Sequence, residues 1–446
     1  VDPVLTRGNG YRWRRAVVAV LVAISLGGCA GGLPSIKNPF RKAEEKLPGE
    51  RIAVITDQNL VSVDPTVARK PISLPAPVAN ASWSDPGGNP ANSLGHLALG
   101  DRVNKSWRVD IGTGSSSSGR LSAIPLVADG KVFTLDAGGT VSAFSASSGS
   151  RLWSTSLTPK NEKRAEGFGG GLALDGGRLY VVTGYGTAVG INPEGGAVLW
   201  NQKIGEPIRS SPTAAGGKVY FVSTDSILHC LDGADGQELW TVRGVPEPAS
   251  LLSNVSPAVA QGLVVAAFPA GDIGAYQSGS GQASWHDSMA RTSETTAAGI
   301  LADPGRPVID HGVVFIVSHG GKMIATSEST GERLWTRNVT STQMPWVAGD
   351  TVFVVDTTGK LMALSRADGK VRWLTDLPGK ARWNGPVLAG SQLWLVSADG
   401  SLVGVDARSG QIGTTTNLGT KVFISPVVAG GRMYILADNA MLYAFN

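Results

Sequence analysis

A unit of fixed length recurs along this chain, and such a repeat constrains the fold more than any local motif does. A Gly-x-x-x-Trp signature closes six segments, at Gly149/Trp153, Gly196/Trp200, Gly236/Trp240, Gly281/Trp285, Gly331/Trp335 and Gly369/Trp373. A seventh copy keeps Gly410 but has Thr414 in the tryptophan position. The residue 28 positions earlier is Pro125, Leu172, Pro212, Pro257, Pro307, Pro345 or Pro386, and an eighth proline, Pro426, opens the same pattern. Five residues after these starts stand Gly130, Gly177, Gly217, Gly262, Gly312, Asp350, Ser391 and Gly431. The block is therefore fixed, and only the connections between blocks vary.

Inside a block, short runs rich in Val, Phe and Tyr, such as KVYFV (218–222), alternate with turns rich in Gly, Asp and Ser. That is the pattern of hairpin-linked strands, four to a block. A period of 38 to 50 residues with four strands per unit predicts an all-β fold, a β-propeller of four-stranded antiparallel blades. Strands such as VFVV (352–355) are apolar throughout, as expected of sheets covered on both faces by neighbours, and each Trp is expected to pack between blades. The eighth block ends at Asn446 before a fourth strand, while KSWRVDI (105–111) matches the Trp-bearing strand of the others. The reading is thus an eight-bladed propeller over 105–446, its ring closed by an N-terminal strand that leaves no exposed sheet edge at the join.

Composition agrees and narrows the function. Glycine supplies 59 of 446 residues and charged residues only 17%, which suits many turns and few broad charged faces. Of the net charge of +4, residues 1–28 carry +3, from Arg7, Arg12, Arg14 and Arg15 against Asp2. The basic balance belongs to the leader, so no nucleic-acid partner is implied. That leader reads RWRR (12–15), an 11-residue apolar run (16–26) and LGGC (26–29), too short to span a bilayer and of the length of a secretory signal core. Small residues before Cys29 resemble a bacterial lipobox, with Cys29 acylated as the first mature residue. The expected organisation is a lipoprotein signal peptide (1–28), a flexible tether (29–49), an extended segment on the propeller surface (50–104) and the propeller. Within the third part, RIAVI (51–55) and LVSVD (60–64) read as strands.

Catalytic and metal signatures are missing. His96, His229, His286, His311 and His319 lack metal-ligand spacing, and there is no HExxH, paired CxxC, GxSxG or P-loop. DGADGQE (232–238) reads as a blade turn, and Asp136, Asp225, Asp356, Asp399 and Asp438 recur at one hairpin position, which argues for turn formation. Cys230, on ILHCLD, reads as a small buried hydrophobe.

A lipobox followed by these repeats resembles the pyrroloquinoline-quinone-type propeller repeat and, most closely, the BamB family of bacterial lipoproteins. PVIDHGVVF (307–315) and GKLMALSRADGKVRW (359–373) are very similar to that family, and ANASWSDPGGNPANSLGHLAL (79–99) resembles its alphaproteobacterial branch. The resemblance implies a scaffold and no enzyme, without cofactor or metal. Such a scaffold is held by lipid on the periplasmic face of the outer membrane and docks on the periplasmic domains of the barrel-forming subunit of the assembly machinery. Unfolded outer-membrane proteins are a second class of partner, through exposed blade edges. It places the docking contacts in two connections: ASLLSNVSP, which supplies Leu251 and Leu252 but no arginine, and LADPGRP, which supplies Asp303. Spacing adds its own weight. The stretches from each tryptophan position to the next block start measure 19, 12, 17, 22, 10, 13 and 12 residues, and two of the three long ones hold these residues. The third contains the charged SLTPKNEKRAEGFGGG (156–171), a candidate rim contact. The alternatives are a quinone-dependent dehydrogenase, a class whose members resemble each other in an adjacent cysteine pair and calcium ligands, or an exported propeller that binds other ligands. This chain has no such cysteine pair.

Overall fold

Eight sheets of four antiparallel strands carry nearly all the regular structure of the computed structural model, which describes residues 61–100, 103–117, 119–162, 167–246, 255–289 and 304–446. Blade 3 shows the plan. Thr213–Ala215, Lys218–Val222, Ile227–Asp232 and Glu238–Arg243 pair in chain order, from the axis outward. Gly216 and Gly217 both have positive φ, 59° and 75°, so the first two strands are joined by a two-residue turn whose twist matches the hairpin. Tyr220, Phe221, Leu228 and Cys230 on the two middle strands are fully buried, because adjoining blades cover both faces. The outermost strand alternates exposed and half-buried positions, with Trp240 half-buried.

Blade 8 is assembled from the first strand of the ring and the last three. Lys105–Asp110 pairs antiparallel with Met441–Phe445, placing Trp107 opposite Ala444 and Val109 opposite Leu442. Two backbone hydrogen bonds between Asn104 and Asn446, of 3.0 and 2.9 Å, extend the ladder beyond the strand ends. The predicted eight-bladed, strand-closed propeller is the observed one.

The Gly-x-x-x-Trp signature is a lock between blades. In each case the indole Nε1 donates to a backbone carbonyl of the next blade, from Trp107 to Ala146 (3.2 Å), Trp153 to Pro193 (2.9 Å), Trp200 to Gly233 (3.0 Å) and Trp240 to Ser278 (3.2 Å). Trp285 donates to Glu328 (2.7 Å), Trp335 to Arg366 (2.8 Å) and Trp373 to Ala407 (3.2 Å). The same ring lies on the signature glycine of that next blade. A Cβ added at Gly149, Gly196, Gly236, Gly281, Gly331, Gly369 or Gly410 would stand within 2.8 Å of a ring atom of the preceding blade's tryptophan. The exception explains itself. Thr414 stands exposed on the outermost strand of blade 7, and the blade that follows pairs the last strand, Met441–Phe445, with the first, Lys105–Asp110, so no hairpin turn joins its third and fourth strands to offer a glycine to a tryptophan.

Before the ring, two expectations are corrected. Residues 61–64 of LVSVD form no strand, and 51–55 lie outside the described residues. Asp64 instead caps the one-turn helix Pro65–Ala68, its carboxylate accepting from the Thr66 N–H at 2.8 Å, because an Asp-Pro step favours a helix start over continued extension. The second concerns the segment expected on the surface. Residues 75–79 do run exposed, but Trp83, Asp85, Asn92, His96 and Leu97 are buried.

From Asn80 to Leu97 the chain makes a circuit of the axis and touches every blade. The innermost strands present an unpaired edge toward the axis, and the segment pairs it two residues after the opening position of most blades. The amides of Val127, Leu174, Val259 and Ile309 donate to the carbonyls of Trp83, Ser84, Pro90 and Ala91. The Ala214 amide donates to Asp85 Oδ1 (2.9 Å), Leu97 donates to the Leu388 carbonyl, and Asn80 Nδ2 donates to the Val428 carbonyl (3.0 Å). In blade 6 the contact is made by Trp346, whose Nε1 donates to the Gly95 carbonyl (2.7 Å) while its ring stacks on Trp83. Buried backbone groups that lack a partner cost stability, and an irregular segment rich in Pro, Asn and Gly can bend to reach each of them in turn. Residues 80–97 are a plug across the axis.

Candidate functional site at the axial opening

The plug closes one end of the ring axis and leaves a cavity of about 610 Å³ at the other, where the connections lead into the innermost strands. Trp83 and Pro86 of the plug line its floor. Its walls come from the residues just before each blade, including Leu121, Phe168, Val255, Met344 and Phe423. Four arginines join them. Arg120, Arg209, Arg306 and Arg382 precede blades 1, 3, 5 and 7, so the guanidinium groups come from four sides of the ring, and the single carboxylate residue among the described lining is Asp438.

Each arginine is held differently. Arg209 lies over the Phe168 ring at 4.8 Å and Arg120 over Phe423 at 5.9 Å, both on the exposed side of the opening. Arg382 donates to Thr342 Oγ1 at 2.9 Å. Arg306 is buried, donates from Nε to Ser256 Oγ at 2.7 Å, and is pushed down to about 10 by that burial. In the plug, Asp85 is fully buried and is pushed up to about 7 by desolvation, against the stabilising hydrogen bonds from the Ala214 amide and the Ser84 hydroxyl. His96 has its tautomer set by its neighbours: Nε2 accepts from the Ser391 amide at 3.0 Å, so Nδ1 carries the proton and donates to the Pro75 carbonyl at 2.8 Å.

The site residues expected from the sequence, Cys29, Leu251, Leu252 and Asp303, lie outside the described residues. Their connections are bounded by described ones. The chain leaves blade 3 at Arg243 and resumes at Val255, and it leaves blade 4 at Ser288 and reaches Arg306, so both connections lead into residues that line the axial cavity. Elsewhere the side chains serve the fold. Cys230 is buried and its thiol is pushed up to about 12 by desolvation, far from a reactive thiolate. Asp136 and Asp356 accept backbone N–H groups of their own turns, Gly138 and Thr140 for the first and Thr358 and Lys360 for the second. Asp225 and Asp399 take the hydroxyls of Ser223 and Ser397. His229 bridges Ser223 and Glu238 and stacks on Phe221. Among the described residues no cluster of three or more His, Cys, Asp or Glu is arranged to hold a metal. Cys230 lies inside a blade sheet with no cysteine adjacent to it in the sequence.

Neither the plug nor the arginines are marked by the repeat. The arginines stand five, three, one and four residues before the opening prolines of their blades, so no period connects them.

Comparison with known proteins then decides the family. The family model described as outer membrane protein assembly factor BamB matches residues 104–164 and 137–375, more than half of the chain. The chain belongs to the BamB family. Among curated relatives, the outer membrane protein assembly factor BamB of Yersinia pestis is 26% identical over 321 residues, spanning 71% of this chain and 82% of the relative. The crystal structure of BamB from Moraxella catarrhalis superposes with a TM-score of 0.63 at 17% identity, over 77% of this chain and 98% of that one. Quinohemoprotein alcohol dehydrogenase from Comamonas testosteroni gives a TM-score of 0.67 at 14% identity, over 86% of this chain and 82% of that one. At these identities the two structures share the fold, while the family match distinguishes between them.

Proposed function

We propose that this BamB-family propeller is a non-enzymatic scaffold of outer-membrane β-barrel assembly. The family match along the blades, with curated assembly factors aligned over most of their own length, carries the reading. Acylation at Cys29 holds the protein on the periplasmic face of the outer membrane, with residues 30–49 as tether. Residue 30 is alanine, and not the aspartate that can mark retention in the inner membrane. Confinement to a surface raises the effective concentration of a weak docking contact. Leu251 and Leu252 act as apolar anchors and Asp303 as a polar neighbour on the periplasmic domains of the barrel-forming subunit. These connections suit the role because they are longer than the fold requires.

The test is complementation. In a strain lacking the gene, the wild-type chain is expected to restore the level of folded outer-membrane barrels, and Cys29→Ser, released into the periplasm, to restore it only in part. Full restoration by Cys29→Ser contradicts the confinement step, and failure of the wild-type chain contradicts the function.

A further inference from the structure

We propose that the axial cavity binds a compact multivalent anion, a small molecule bearing two or more phosphate or carboxylate groups. The inference stands apart from the docking connections and holds whether or not they make the partner contact.

Its basis is where charge is placed. The described lining has four arginines against one aspartate and no lysine. Arg120, Arg209 and Arg382 form no ion pair with any carboxylate among the described residues, whereas Arg333, Arg366 and Arg372 elsewhere on the ring each do. Arg209 and Arg120 are held over aromatic rings, with Cζ 4.8 Å from the Phe168 centroid and 5.9 Å from the Phe423 centroid, a contact that uses the face of the cation and spends no N–H donor on a carboxylate. Because the four groups approach from blades 1, 3, 5 and 7, they suit an anion with several charged corners on the axis better than a single carboxylate at one wall. Apolar walls and the Trp83 and Pro86 floor exclude water from one side, which strengthens such contacts and focuses the field at the opening. The volume of about 610 Å³ falls in the range of small-molecule sites, roughly 300–1,000 Å³.

The experiment is calorimetric titration of the full chain in detergent at low ionic strength with pyrophosphate, citrate, acetate and a tetraglutamate peptide. It is repeated on Arg209→Gln/Arg382→Gln, whose side chains reach solvent and whose melting temperature should stay within about 2 °C of wild type. Saturable one-to-one binding of pyrophosphate or citrate, weakened ~10-fold or more in the double variant and absent for acetate, is the expected result. Preference for pyrophosphate assigns a phosphate ligand, and preference for citrate a polycarboxylate. No saturable binding of either, equal binding by the variant, or binding of the peptide alone would each overturn the proposal. If the double variant does not fold, Arg120→Gln replaces it under the same criteria.

Discussion

Asp85 is the residue on which the plug's own stability turns. Its carboxyl titrates near 7 in the fold, through burial, against about 4 in an unfolded chain. The folded state therefore binds the extra proton between those values. The stability contributed by the neutral carboxyl is complete below about pH 4 and is lost as pH rises toward 7, on the order of a few kcal/mol in all. Asn at this position keeps an oxygen for the Ala214 amide and has no charge to bury. Asp85→Asn should thus gain in melting temperature relative to wild type by a few degrees more at pH 8 than at pH 5. Thermal melts of both proteins across that interval check it, and an equal difference at both ends contradicts the assignment. A second residue-scale expectation separates two kinds of glycine. Gly217→Ala meets only the strain of positive φ, since open space surrounds it, whereas Gly236→Ala also drives a Cβ to 2.5 Å from the Trp200 ring. Urea unfolding should show the second substitution costing at least ~1 kcal/mol more than the first.

At the scale of the blade, the sequence was legible wherever a contact repeats. The tryptophan lock joins residues of adjacent units at constant spacing, so selection for one geometry writes the same two letters into each block, and the blade count follows from them. Thr414 was visible as an exception, but its cause lay in the chain order of blade 8, which only the strand pairing displays. This yields a discriminating expectation. Thr414→Trp should add no stability, because blade 8 has no turn glycine to seat the ring, while Trp240→Phe should cost about 1 kcal/mol through loss of the Nε1 donor to Ser278. Stabilisation by Thr414→Trp in a denaturant titration would show that the tryptophan acts without its receptor. The plug was not legible for the opposite reason. Its hydrogen bonds go mainly to backbone groups, in seven of the eight blades, and backbone groups leave no trace in residue identity. Pro, Asn and Gly in residues 71–92 suggest surface extension, although the same composition serves a chain that must turn at nearly every step. The four arginines leave no periodic signal because each uses a different offset from its proline to reach one axis.

Across the whole molecule, ring closure and plug bind the blades into one unit, and a closed ring can present connections at fixed positions around an axis. Trp107 belongs to the closing strand and locks blade 8 onto blade 1, where Arg432 also donates to the Ala146 carbonyl. Trp107→Ala should cost about 2 kcal/mol or more and broaden the unfolding transition, since it weakens the join between the two ends of the ring. The role proposed for this scaffold rests finally on what it holds. Affinity purification of the membrane-extracted protein, wild type beside Leu251→Asp/Leu252→Asp, followed by identification of the co-purifying proteins, addresses it. The barrel-forming subunit of the outer-membrane assembly machinery should accompany the wild type and be lost from the folded variant. Its recovery with both would move the interface elsewhere on the ring, and its absence from the wild-type preparation would contradict the scaffold function itself.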